Sequence, residues 1–201
     1  MAFHKFAKFA LFAALMLPAG CAATAPTPPP ETTLPAMRWD FRPEAPAWTR
    51  ATLLALRAHG APLTQSEPVD IDRFCPAYRE ASEAERQAFW AGLFSALAKY
   101  ESTWQPEASG GGGLWLGLLQ IDPRTARGYG CLAQTRADLF DGSKNLSCGV
   151  RIAAAQVARD NEIVGGPGRW RGVARDWAPF RSSGKVDDMA VWTRTQSYCQ
   201  K

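Results

Sequence analysis

From Phe89 onward, apolar side chains recur three or four residues apart, at Phe89, Leu93, Ala96 or Leu97, and Tyr100, with Trp90 and Phe94 widening the stripe. That period is helical. Just upstream, Ser82-Glu83-Ala84-Glu85 matches a capping box, with Ser82 as N-cap and Glu85 three places later. The pattern predicts a central helix of about five turns. Weaker periodicity predicts a short helix from Trp48 to Ala58 ended by Gly60, a loop from Asp70 to Tyr78, and another short helix at Pro123–Arg127 stopped by Gly128-Tyr129-Gly130. Further helices are predicted to open at Asn145 and run to about Arg159, to occupy Trp170–Trp177, and to occupy Asp187–Tyr198. No run alternates as a strand would, so the fold class expected for residues 47–201 is mainly α.

One carboxylic acid stands out against this pattern. Glu101 follows Leu97 by four residues and Leu93 by eight, which puts it on the continuation of the apolar face at the helix C-terminus. Lost hydration and the negative end of the helix dipole both disfavour its charge and predict a raised pKa. A general acid working near neutral pH needs that property, although a solvated glutamate at a frayed helix end would occupy the same position. Four glycines, Gly110–Gly113, follow and predict neither helix nor strand. Trp104 and Trp115 flank them, and each offers a flat apolar face with one N–H donor suited to a sugar. In Gly117-Leu118-Leu119-Gln120-Ile121, the Gln120 amide can donate and accept without adding charge beside the acid.

Composition changes the picture mainly at the N-terminus. Lys5 and Lys8, the apolar run Phe9–Leu17 and the small residues Pro18-Ala19-Gly20 before Cys21 have the order of an export signal. The run is about half the ~20 apolar residues a membrane-spanning helix needs. Leu17–Cys21 resembles a bacterial lipobox, which implies lipidation of Cys21. Pro18 departs from the usual leucine there, and ordinary cleavage near Ala23 or Ala25 is the alternative. Seven prolines between Pro26 and Pro46 make residues 21–46 an expected tether; at ~3.1 Å per residue in polyproline form it would reach about 75 Å.

Without residues 1–20 the chain carries 21 basic and 19 acidic side chains, a formal charge of +2, and has no dense basic stripe. Nucleic acid is therefore not an expected partner. Cys75, Cys131, Cys148 and Cys199 form an even set, which suggests two disulfides in an exported chain. Three pairings are open, with four reduced thiols as the alternative. We favour Cys131 with Cys148 and Cys75 with Cys199. No metal site is expected, because the cysteines lack paired ligand spacing and the only histidines are His4 and His59.

Glu101-Ser102, Gly117 through Ile121, Pro123-Arg124-Thr125-Ala126 and Asn145 through Gly149 together resemble, in order and spacing, the soluble lytic transglycosylase domain, a lysozyme-like fold. The resemblance implies cleavage of the β-1,4 bond between N-acetylmuramic acid and N-acetylglucosamine in peptidoglycan, with Glu101 as acid and base and no cofactor. It also implies that Ser102 orients Glu101 or contacts substrate and that Gln120 lines the sugar groove. The family's Ala-Tyr-Asn-Ala-Gly segment is missing; Ala174–Arg181 stands in its place, with Trp177 as the expected substitute for the tyrosine. A hydrolytic muramidase, its second carboxylate drawn from Asp122, Asp138 or Asp141, is the nearest alternative. A wall-binding or secretion-assembly lipoprotein without turnover is the more distant one. The expected protein is a monomer in the periplasm, held to the outer membrane through Cys21.

Overall fold

The helix that carries the acid, α4 (Glu83–Ser102), starts where the sequence predicts. The Glu85 N–H donates to Ser82 Oγ, and the Ser82 N–H donates to the Glu85 carboxylate at 2.8 Å, so the capping box is closed in both directions. Its middle is buried on every side, with Phe89, Trp90, Leu93, Phe94 and Leu97 all in the core. Buried N–H groups there need partners. Trp90 Nε1 finds two, Leu63 O at 3.0 Å and the Tyr78 hydroxyl at 2.9 Å. The helix stops because Thr103 and Trp104 both turn left-handed, at φ 52° and 56°. Non-glycine residues adopt that conformation at a cost of roughly 1–2 kcal/mol each. Trp104 offsets it by donating Nε1–H to Ser95 O at 2.8 Å and packing edge-on against Phe41.

A computed structural model describes Met1, residues 33–166 and residues 168–200. The expected export signal, His4, Cys21 and the expected tether up to residue 32 lie outside the described residues. Against α4 pack α1 (Ala45–His59) and α8 (Ser183–Arg194), and α7 (Gly142–Asp160) lies along α1. Four short helices complete the α set: α2 (Ala61–Thr64), α3 (Ile71–Phe74), α5 (Pro123–Gly128) and α6 (Arg136–Phe140). Among the described residues no helix is long and apolar enough to cross a membrane.

Both favoured disulfides are present. Cys75–Cys199 has a Cα–Cα distance of 4.7 Å, and Cys131–Cys148 one of 5.2 Å.

Other expectations are corrected. The tether does not run to residue 46. Met37 and Trp39 are buried, Trp39 Nε1 donates to Thr49 Oγ1 at 2.9 Å, and the Arg38 N–H donates to Ser95 Oγ at 2.9 Å. Two large side chains among prolines suffice to anchor the segment. The glycine run is not wholly irregular: β1 (Ser109–Gly110) pairs antiparallel with β2 (Trp115–Leu116), placing Gly110 opposite Trp115. The expected helix at Trp170–Trp177 is instead a 3₁₀ turn, Gly172–Arg175, followed by a second at Ala178–Arg181. Gly172 has φ 50°, and a Cβ there would lie 1.8 Å from Glu162 O, so the chain is pinched against the end of α7 and cannot extend a helix upstream. The Asp70–Tyr78 loop contains α3, while α7 opens at Gly142 under an Asp141 cap rather than at Asn145.

Candidate functional site

Glu101 lies half-buried in the last turn of α4, and its carboxyl is pushed up to about 7. Burial is the cause, opposed by the positive charges of Lys185 and then Arg181. Near neutral pH the acid is therefore about half protonated. The two cations differ from their neighbours. Arg38, Lys99 and the Tyr100 hydroxyl all converge on Asp188, with Tyr100 Oη donating at 2.7 Å. Among the described residues, neither Lys185 nor Arg181 has a carboxylate within ion-pair distance. Their field is left to act on Glu101.

The stretch from β1 to Ile121 is shaped by backbone constraints. Gly117 has φ 77°, and a Cβ on it would come within 2.1 Å of Leu139 O and 2.3 Å of Asn145 Nδ2. Asn145 is fully buried and uses its whole amide: Oδ1 accepts from Leu119 N at 3.0 Å, and Nδ2 donates to Leu116 O at 3.0 Å and Leu139 O at 2.9 Å. Gln120, at φ 47°, donates Nε2 to Ala108 O at 3.1 Å and to Gly117 O at 2.9 Å. Trp115, 50% exposed, lies across Gly111, where any Cβ would meet its ring at 2.6 Å.

Trp115, Gln120, Trp177 and Asp176 together line a hollow of about 70 Å³. Trp177 is buried, donates Nε1–H to Leu119 O at 2.9 Å and meets Phe94 of α4 edge-on. Three of the expected groove residues, Trp115, Gln120 and Trp177, are thus brought together. Ser102 and Trp104 are not among them. The Ser102 hydroxyl is buried and committed to Ala98 O at 3.1 Å, one turn back, so it makes no bond to Glu101. Trp104 is held by Ser95 and Phe41, as described above.

The three aspartates expected as alternatives are occupied at helix starts. Asp122 accepts from Arg124 N at 2.7 Å, Asp141 from Lys144 N at 3.1 Å, and Asp138 closes a capping box at Thr135 while pairing with Lys144. Asp122 nevertheless lines the hollow, together with Asp176, which was not singled out from the sequence; Glu101 is not among its lining residues. Asp176 Oδ2 accepts from Gln156 Nε2 at 2.6 Å and from Tyr129 Oη at 3.4 Å, and desolvation raises its pKa against those two bonds. The only hint of it was its place in the segment that departs from the family pattern. Among the described residues no group of three or more His, Cys, Asp or Glu is placed to hold a metal.

The transglycosylase SLT domain model matches residues 80–171, a span containing Glu101, Gln120 and Asn145. Solved structures of the protein Bd0314 DslA extend the likeness. A Glu-to-Gln mutant of DslA is 31% identical over 84% of this chain and 100% of its own, with a TM-score of 0.77. The chain belongs to the transglycosylase SLT family. Wild-type DslA in a second form, also 31% identical over 84% of this chain and 100% of its own, superposes with a TM-score of 0.75. No protein of curated function matches. Membership makes the fold lysozyme-like and the action lytic-transglycosylase-like, directed at peptidoglycan. The SLT match stops short of Asp176, Arg181 and Lys185.

Proposed function

We propose that the chain is a peptidoglycan lytic transglycosylase in which Glu101 is the catalytic acid and base. The observation that carries this reading is the Glu101 carboxyl, pushed up to about 7 by burial at the end of α4. Protonated Glu101 donates its proton to the glycosidic oxygen as the C1–O bond breaks, while the muramic acetamide oxygen bonds to C1. Ionised Glu101 then takes the proton of the 6-hydroxyl, whose oxygen displaces the acetamide from C1 and closes the 1,6-anhydro ring. No step calls for a cofactor. Trp115 and Gln120 contact sugar in this reading. Trp177 replaces the family tyrosine as a wall, since its N–H is already given to Leu119 O. The same reading keeps the protein periplasmic and monomeric, anchored to the outer membrane by lipidated Cys21.

Asp122 and Asp176 support a second reading, a hydrolytic muramidase, because both line the hollow with Gln120. Mass spectrometry of digested sacculi separates the two. Anhydro ends are expected; reducing ends would transfer the reaction to water, and intact sacculi would leave a wall-binding role.

A further inference from the structure

A second hollow, of about 460 Å³, is lined by Arg73, Trp170, Phe180, Arg181, Ser183 and Val186. Its volume falls within the ~300–1,000 Å³ of ordinary ligand pockets, well beyond what one bound ion needs. Arg181 links it to the acid, because the same guanidinium acts electrostatically on Glu101.

Arg181 is held in place without an ion pair among the described residues, although its charge acts on Glu101 and Asp176. Its Nε donates to Ala174 O at 2.8 Å and its Nη2 to Arg175 O at 2.6 Å, and carbonyls bring no counter-charge. The guanidinium carbon lies 4.5 Å from the centroid of the Trp170 ring, an aromatic that is 53% exposed. Arg73 contributes a second guanidinium, paired with Asp187 at 2.8 Å. No carboxylate is among the residues lining the hollow. Ser183 opens α8, whose first turn contains no acid and whose N-cap, Ser182, makes no side-chain bond to it. The positive end of that dipole therefore adds to the cationic bias.

A peptidoglycan strand presents two kinds of group to such a surface, neutral sugars and peptide stems that end in carboxylates. Neutral sugar does not call for a guanidinium, whereas a carboxylate forms short, charge-assisted bonds with it. Phe180 and Val186 line the hollow but are themselves buried, so apolar contact for the aliphatic side chains of a short peptide comes from the exposed Trp170 ring. We infer that this hollow is a stem-peptide subsite, in which Arg181, stacked on Trp170, binds a carboxylate of the peptide carried by muramic acid. The inference rests on the proposed action on peptidoglycan and adds to it a requirement for the stem.

The test is calorimetric titration of the full chain with an N-acetylmuramoyl dipeptide, as the free acid and with its carboxylates amidated. A single sugar has no glycosidic bond to cleave, so the measurement is independent of turnover. The free acid should bind roughly 10- to 100-fold more tightly than the amide, as expected for hydrogen bonds to charged groups. Added salt should narrow that gap. Arg181→Gln should abolish the preference. Trp170→Ala, which leaves the carbonyl contacts of Arg181 intact, should reduce it severalfold without changing Tm. Equal affinity for the two ligand forms, or a preference surviving both substitutions, would overturn the subsite. Sacculi left intact by wild type while the dipeptide preference holds would instead sink the catalytic reading alone.

Discussion

Two stretches of the domain are built on opposite principles, and the second of them acts on Glu101. Residues 108–121 contain no charged side chain. Their shape comes from left-handed backbone at Gly111, Gly112, Gly113, Gly117 and Gln120, locked by amides bonded to carbonyls. Residues 171–188 are held by charge instead. Asp160 collects Arg171, Arg175 and the Gly172 N–H, while among the described residues Arg181 and Lys185 have no carboxylate within ion-pair distance. Rigidity therefore comes from one stretch and electrostatics from the other. The pH response of the acid should follow substitutions in the second stretch and be indifferent to conservative ones in the first.

The largest effect tests the acid itself. Glu101→Gln should lower wall release about 10²- to 10⁴-fold, the usual range for a lost general acid, as read by turbidity of sacculi; release at wild-type rates would remove Glu101 from the chemistry. On the neutral side, Gly117→Ala forces a Cβ onto Leu139 O and into the Asn145 amide at positive φ. Strain plus a disturbed buried hydrogen bond should cost about 3 kcal/mol, a fall in Tm of roughly 6–12 °C, and an unchanged melting curve would refute the packing described here. On the cationic side, Lys185→Met removes the larger of two charges that lower the Glu101 pKa. The alkaline limb of the activity profile should then move to higher pH with little change in Tm. A profile that stays in place would mean that Lys185 does not reach the acid.

The smallest effect concerns stability. The folded pKa of Glu101, about 7, lies above its ordinary value of 4.5, so the folded state holds this proton more tightly. Stability linked to Glu101 is full below about 4.5 and is lost as pH rises through about 7. Glutamine does not titrate. The Tm of Glu101→Gln relative to wild type should therefore climb by a few degrees between pH 5 and 8; a constant offset would contradict the burial of the acid.

The neutral stretch was largely legible in the sequence because its requirements are local and steric. Gly117, Gln120 and Asn145 occur in the spacing that one backbone conformation demands, and the Ser82–Glu85 box marks where the acid-bearing helix begins. The cationic stretch was not legible. Whether Arg181 or Lys185 faces Glu101 depends on how a segment eighty residues away packs, and nothing in its own periodicity states this. Ser102 makes no bond to Glu101 because a hydroxyl at a helix end can turn back to its own carbonyl as readily as outward. Met37 and Trp39 were hidden by the prolines around them, since composition averages over the few side chains that anchor a segment.

A side chain at Gly92 would strike the Tyr198 hydroxyl at 2.3 Å, so this is where the C-terminal segment crosses the acid-bearing helix. The next residue, Cys199, is bonded to Cys75 across a sequence separation of 124. Helix α4 thus lies inside a covalent ring. When the C-terminal segment lifts away, it stays tied within reach of its seat, so reclosure is fast compared with an untied end. Cleavage by a protease then tracks how often the segment is open, not how quickly it opens. Survival under proteolysis is then set by that brief open fraction, and reducing one bond lengthens every excursion.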